Sequence, residues 1–186
     1  MRRLTLVCSG ATKTQRSARF PTPDEHAECP ANFSAARLPT QSGTKIYCAP
    51  EQRAVDTARF LGLEAVSEPN LRDCDFGDWK GRSLADIEQQ DSNGTISWLS
   101  DPQAAPHGGE SIHHLQNRVS EWLNNHPDQG YALAITHAAV MRAALLYVLQ
   151  APFPAFWRVD VEPFTVMDFR SNGSRWSVRS INNLFE

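Results

Sequence analysis

The sequence predicts an α/β fold with a mainly parallel sheet covered by helices on both faces. Three observations predict it. Short apolar runs of strand length alternate along the chain with segments of helical period. Residues 131–136 (Tyr-Ala-Leu-Ala-Ile-Thr) are almost continuously apolar, the pattern of a strand buried on both faces. No internal repeat, low-complexity tract or long linker divides the 186 residues, so 1–186 is expected to form a single domain with a sizeable core.

Each element follows in order. Arg3–Val7 is a short apolar strand. The polar stretch 10–37, with Pro21, Pro23 and Pro30, is expected to start as a short helix over Thr14–Phe20 and continue as loop. Lys45–Cys48 is a second strand. Pro50 opens a helix with Glu51 in its first turn, and Gly62 stops it after Leu61. Ala65–Ser67 is a weak strand, Asp73–Gly81 a glycine-punctuated loop, and Leu84–Gln90 and Gly94–Leu99 are single helical turns before a loop over Pro102–Gly109. Between Ser111 and Asn125, Ile112, Leu115, Val119, Trp122 and Leu123 recur at helical spacing. Tyr131–Thr136 is the buried strand, His137 marks its end, and Ala138–Leu149 is an apolar helix. Three late strands are expected at Arg158–Val161, Thr165–Arg170 and Arg175–Asn182, with Asn172-Gly173 as a hairpin turn between the last two.

Composition narrows the function. The net charge of −3 argues against nucleic acid as an electrostatic partner. No apolar run approaches the roughly 20 residues that span a bilayer, so no membrane partner is expected. The run Leu4–Val7 is too short for a signal-peptide core, which makes the cytoplasm the default location. Cys8, Cys29, Cys48 and Cys74 read as free thiols without metal-ligand spacing, and His107, His113 and His114 lack partners for a metal site. Nothing in the chain reads out an oligomeric state.

Parallel sheets bind ligands beyond the carboxyl ends of their strands. Cys8-Ser9-Gly10, Cys48-Ala49-Pro50 and Thr136-His137 are all expected there. Four stretches occur in order: Leu4-Thr-Leu-Val-Cys-Ser-Gly-Ala-Thr12, Tyr47-Cys-Ala-Pro-Glu-Gln-Arg53-Ala-Val-Asp-Thr-Ala-Arg59, Leu71-Arg-Asp73-Cys-Asp-Phe-Gly77-Asp-Trp-Lys-Gly81 and Ala134-Ile-Thr-His137-Ala-Ala-Val-Met-Arg142. As a set they resemble the histidine phosphatase superfamily, in its phosphoglycerate-mutase-like branch. The resemblance covers about residues 3 to 170. It implies a three-layer α/β/α sandwich around a mostly parallel sheet. It also implies hydrolysis or transfer of phosphate esters with no metal and no organic cofactor. The ligand it implies is a small phosphorylated molecule or inorganic phosphate.

The first motif of that family is Arg-His-Gly, whose histidine carries the phosphoryl group. Here the triplet is Cys8-Ser9-Gly10. Phosphoryl transfer needs a nucleophile, cations or dipoles around the equatorial oxygens, and a proton donor. The planar fork of Arg53, at a helix start, suits a phosphate oxygen pair. His137, with the N–H groups of Ala138 and Ala139 beside it, matches the histidine that contacts the phosphoryl group in relatives. Asp73 matches an acidic proton donor, with Asp75 as its competitor, provided burial raises its pKa. Pro106-His-Gly-Gly-Glu110-Ser111 also resembles a family segment, and Glu110 is read as a charge near a helix start. The expected site is therefore Ser9, His137 and Asp73 for chemistry, and Cys8, Gly10, Arg53, His137 and Ala138 for phosphate. Thr12, Arg16 and Arg19 are expected in the substrate pocket, with either arginine as a replacement cation. Segments 12–36 and 84–109 are expected to form its walls.

Two readings follow. In the first, the protein is a degenerate phosphatase-like binder that keeps an anion pocket but has little or no phosphohistidine chemistry. In the second, it is an active phosphomonoesterase whose nucleophile is water, Ser9 or Cys8, assisted by His137. A serine hydroxyl is a poor nucleophile unless a base activates it, and His137 is the expected neighbour. Arg53 and protonated His137 would lower the Cys8 thiol pKa. The resemblance implies that Cys8 and Cys48 end neighbouring strands, close enough for redox or metal chemistry, although such cysteines are more often small buried residues.

Overall fold

The computed structural model describes residues 1–30, 38, 43–125 and 130–183. Six strands form one sheet: β1 (Arg2–Cys8), β2 (Lys45–Cys48), β3 (Val66–Ser67), β4 (Gly130–Thr136), β5 (Val166–Ser171) and β6 (Trp176–Asn183). Their order is β3-β2-β4-β1-β5-β6. The first four in that order pair in parallel, while β5 runs antiparallel to both β1 and β6. The helices are α1 (Lys13–Arg16), α2 (Gln52–Phe60), α3 (Leu84–Gln90), α4 (Ser92–Ser100), α5 (Ile112–Asn125) and α6 (Ala138–Leu149). They cover the sheet as the alternating pattern requires, giving the three-layer α/β/α sandwich.

The central strands explain their own composition. β1 and β4 lie inside the sheet, so Leu4, Leu6, Val7, Leu133 and Ile135 are each at most 1% exposed. Apolar side chains of these strands share one core cluster with Leu115, Val119 and Leu123 from α5, Val140, Met141 and Leu145 from α6, and Ala54 and Ala58 from α2. Each such side chain contributes on the order of 2 kcal/mol by leaving water. A second cluster of Trp79, Ile87 and Trp98, with Phe20, Phe76 and Trp157 against it, sits under the long excursion between β3 and α5. There, loops approach closely. A Cβ on Gly77 would fall 2.0 Å from the His107 carbonyl oxygen, so this position takes only glycine.

Three expectations are corrected. The helix over Thr14–Phe20 is shorter, Lys13–Arg16, because Ala18 adopts φ +55° and the Phe20 N–H goes to the Arg82 carbonyl. Arg158–Val161 is not a strand. Pro152 and Pro154 seed a 3₁₀ turn over Phe153–Arg158, and the Arg142 Nε–H takes the Val159 carbonyl at 2.7 Å. Cys8 and Cys48 do not end adjacent strands, because β4 lies between β1 and β2. Two strand spacings separate them by about 10 Å. The Asn172-Gly173 hairpin forms as expected, with Gly173 at φ +101° and the Asn172 side chain accepting from the N–H groups of Ser174 and Arg175.

Candidate active site

Parallel register brings the ends of three strands to one edge. Cys8 lies opposite Thr136 across the β1–β4 pair, and Cys48 opposite Ile135 across the β2–β4 pair. Ser9, Ala49 and His137 therefore leave the sheet side by side. The Ser9 N–H donates to the Thr136 carbonyl at 2.8 Å and the Ala49 N–H to the Ile135 carbonyl at 2.9 Å, which continues the ladder one residue past each strand.

A chain of buried polar contacts runs through this edge. The Ser9 Oγ is 3.1 Å from His137 Nδ1, and His137 Nε2 is 2.8 Å from Glu51 Oε2. Ser9, His137 and Glu51 are all buried, and His137 is 2% exposed. Burial pushes the Glu51 carboxyl up, but the hydrogen bond and charge of His137, its own backbone and Arg53 outweigh that and hold it at about 2. Glu51 is therefore a carboxylate that can only accept, so the proton of a neutral His137 sits on Nε2. Nδ1 then carries the lone pair, and the Ser9 O–H donates to it.

The other half of the site centres on Arg53, which is 1% exposed. Its Nη2 donates to Asp73 Oδ2 at 2.6 Å and its Nη1 to the Thr22 carbonyl at 3.0 Å, while its buried Nε has no partner among the described residues. Asp73 accepts from the Cys74 N–H at 2.9 Å, and its own N–H donates to Glu51 Oε1 at 3.0 Å. Glu51 thus ties the two halves together. Asp75, the competitor of Asp73, instead braces its loop by accepting from the Gly77 N–H and pairing with Lys80.

The halves open into different spaces. Ser9, Ala11, Arg16, Ala138, Val161 and Phe164 are among the residues around a cavity of about 490 Å³. Glu51, Arg53, Arg72, Asp73, Asp75 and Lys80 are among those around a separate cleft of about 210 Å³. Residues 84–109 line neither, because α3 and α4 are used by the aromatic cluster. Of the expected wall 12–36, residues 31–36 lie outside the described residues.

The remaining site candidates separate by position. Gly10 has its N–H committed to Thr57 Oγ1 at 2.8 Å, and a Cβ there would meet the Phe164 ring at 2.8 Å. Thr12 is buried as the capping residue of α1, accepting from the Gln15 N–H. Arg16 reaches the Ser9 cavity but pairs with Glu28 at 2.6 Å. Arg19 does not join the site. It bonds the Gly81 carbonyl and faces Asp86 at 3.5 Å. Cys8 is buried, and burial together with the Asp73 charge pushes its thiol up to about 12, which Arg142 and Arg53 offset only in part. Burial, with Glu51, pushes Cys48 likewise to about 12. Neither is a thiolate near neutral pH, so of the two readings offered by the sequence the structure favours small buried residues over a reactive thiol. Glu110 holds Arg118 through two contacts, at 2.9 and 2.7 Å, and Arg72 at 3.3 Å. It is an anchor for α5 and not part of the site.

Sequence reasoning missed Glu51, reading it only as a first-turn residue. The available signal was its position directly after Pro50, at a strand's carboxyl end and two residues before Arg53. It also missed Arg142, the cation close enough to Cys8 to act on its thiol.

Comparison with known proteins agrees with this architecture. The histidine phosphatase superfamily (branch 1) matches residues 24–184. The chain belongs to that superfamily. It is 28% identical over 196 aligned positions to a bifunctional protein of Mycobacterium tuberculosis, covering 97% of this chain and 53% of the relative. The chain thus spans about half the length of that curated relative. It is 28% identical over 148 positions to the adenosylcobalamin/alpha-ribazole phosphatase of Escherichia coli, covering 75% of this chain and 68% of that one. Among solved structures, the alpha-ribazole phosphatase of Shigella flexneri superposes with a TM-score of 0.78 at 21% identity, over 97% of this chain and 96% of its own.

Proposed function

We propose that this domain binds small phosphorylated molecules or inorganic phosphate, in a phosphatase-type site that has lost phosphohistidine chemistry. The observation that carries the reading is Ser9 at the carboxyl end of β1, 3.1 Å from His137, where the family resemblance calls for the phosphoryl-carrying histidine. The span matched by the family begins at residue 24, beyond this turn. Relatives act as phosphatases, as the name of the E. coli enzyme records. The retained anion-binding group is Arg53, whose buried, unpartnered Nε leaves a donor for a ligand oxygen. Arg72 and Lys80 border the same cleft. A phosphate entering it displaces Asp73 from Arg53, and the freed carboxylate stays within reach as an acid or base. The domain extent 1–186 and the assignment of Ser9, Asp73, Arg53 and His137 to this site belong to the same proposal, as does a cytoplasmic setting. No helix among the described residues is long and apolar enough to cross a membrane.

A second reading, hydrolysis through Ser9 with His137 as base, is favoured by the Ser9–His137–Glu51 contacts. The Cys8 route is not, given its thiol pushed up to about 12.

The test is p-nitrophenyl phosphate hydrolysis across pH by the unchanged protein, Ser9→His and His137→Ala, with acid-labile phosphoryl groups measured on each chain. Background turnover in the unchanged protein and turnover gained in Ser9→His are expected. An acid-labile phosphoryl group on the unchanged chain during turnover overturns the reading.

A further inference from the structure

We infer that Ser9, His137 and Glu51 form a nucleophile–base–carboxylate triad that hydrolyses uncharged carboxylic esters. The inference goes beyond the anion-binding reading and shares with it only the premise that no phosphohistidine forms.

The geometry has the relay that such catalysis requires. The nucleophile and base are 3.1 Å apart, and the base and its orienting carboxylate 2.8 Å apart. Glu51, ionised and accepting from Nε2, fixes the His137 tautomer with the Nδ1 lone pair on Ser9. The triad is recognised by these roles and not by chain order. Glu51 touches no reacting atom and is a positioning residue. It is itself held, since its second oxygen accepts the Asp73 N–H at 3.0 Å.

Substrate class follows from the cavity. A phosphomonoester carries up to two negative charges and needs cations around the attacking hydroxyl. The cavity that reaches Ser9 offers Ala11, Ala138, Val161 and Phe164, and its one charged lining residue among those described is Arg16, already paired with Glu28. Arg53 opens into the other cleft, with its charge on Asp73. The Ser9 side therefore suits an uncharged acyl ester better than a dianionic phosphate ester. α6 starts immediately after His137, and its first-turn N–H groups have no intrahelical acceptor. Ala138, the first of them, lines the same cavity and supplies a donor for an oxyanion.

The chemistry balances without a cofactor. Ser9 Oγ forms a bond to the ester carbonyl carbon while its proton moves to His137 Nδ1, and the carbonyl π pair becomes an oxyanion. The oxyanion collapses, the bond to the alcohol oxygen breaks, and Nδ1 returns the proton to the departing alcohol. Water then attacks acyl-Ser9, giving a proton to Nδ1. The carbon–Oγ bond breaks, Oγ takes that proton back, and a carboxylic acid leaves.

The test uses the intact chain with p-nitrophenyl butyrate and p-nitrophenyl phosphate in parallel, plus a fluorophosphonate probe whose attachment site is mapped by mass spectrometry. Thermal unfolding is recorded for every variant. Butyrate hydrolysis and probe attachment on Ser9 are expected, both abolished in Ser9→Ala. Glu51→Gln is expected to lower kcat by about 10²-fold or more with KM changed less than about threefold, the signature of lost orientation. Ser9→Cys is expected to keep a p-nitrophenol burst. Butyrate hydrolysis unchanged in Ser9→Ala, or a probe that does not attach to Ser9, overturns the inference. Loss of phosphate-ester hydrolysis in Ser9→Ala, with no butyrate hydrolysis, overturns the substrate class. A phosphohistidine, read on a separate signal, overturns the shared premise and so both readings, whereas the butyrate and probe results bear on this inference alone.

Discussion

On the α2 side of His137, Arg53 is locked to Asp73 at 2.6 Å, in a cleft where Arg72 and Lys80 are also paired with carboxylates. On the α1 side, Ser9 faces mostly small and apolar side chains and lies 3.1 Å from a histidine ring nitrogen. The first region spends its charges on itself, whereas the second holds one hydroxyl and one base in a nearly uncharged space. Residues that a motif places in one pocket can thus serve two environments. Glu51 is the wall between them, with one carboxylate oxygen facing each side. Electrostatics, more than proximity, decides which ligand each region takes.

That contrast breaks most directly through Arg53. Its replacement by alanine strands the half-buried Asp73 carboxylate, whose side chain is 11% exposed, and removing one member of a buried pair costs up to about 3–5 kcal/mol. Urea denaturation should show Arg53→Ala losing that much, while Ser9→Ala, which removes one neutral hydrogen bond, loses about 1 kcal/mol. Equal losses would mean that the charged half is no more constrained than the neutral one. The next effect is smaller and depends on pH. Glu51 is held at about 2 against an ordinary value of 4.5. Its contribution is complete above pH 4.5 and is lost as the pH falls towards 2, on the order of 3 kcal/mol. Unfolding free energy measured from pH 6 to pH 2 should fall less steeply in Glu51→Gln than in the unchanged protein. Identical slopes would remove Glu51 from the wall. Thr12→Ala, which deletes the α1 cap on the neutral side, should cost about 1 kcal/mol and leave both slopes alone.

The sheet was legible because burial leaves a direct mark. β4, β2 and the hairpin follow from apolar runs and from Asn172-Gly173, and α5 from its stripe of Ile112, Leu115, Val119 and Leu123. The end of the chain segment 158–161 was not legible, because Arg142, 17 residues away from Val159, takes a carbonyl that local pattern offers to a ladder. In the site, Arg53, Asp73, Ser9 and His137 were all singled out by the resemblance of their motifs to the family, and the fold brings Ser9 to His137 and Arg53 to Asp73. Which side each faces was hidden, since it depends on strand order and not on motif order. The same cause misplaced Cys8 beside Cys48, since β4 enters the sheet between strands that precede it in sequence. Glu51 was missed because a glutamate in a first helical turn already has a sufficient local explanation in the helix dipole.

The smallest predicted effects test the neutral side most finely. Arg16 borders the Ser9 cavity with its side chain 60% exposed, and Arg19 lies against Gly81 and Asp86 with its side chain 45% exposed. Solvent screens both pairs, so Arg16→Ala should cost less than about 1 kcal/mol. Arg19→Ala should leave the unfolding midpoint unchanged within error. Their functional effects should differ in kind. If the cavity takes uncharged ligands, Arg16→Ala leaves butyrate hydrolysis within about twofold, because no substrate charge leans on it and its removal changes only screened surface electrostatics. If instead Arg16 replaces the missing arginine of a phosphate cradle, the same variant weakens inorganic phosphate binding, measured by calorimetry, by about tenfold or more, the loss of a charge-assisted contact. Arg72→Ala should weaken phosphate binding in the first case and not in the second. The pair of titrations therefore assigns the anion to one side of Glu51 or the other, whatever the outcome of the ester assay.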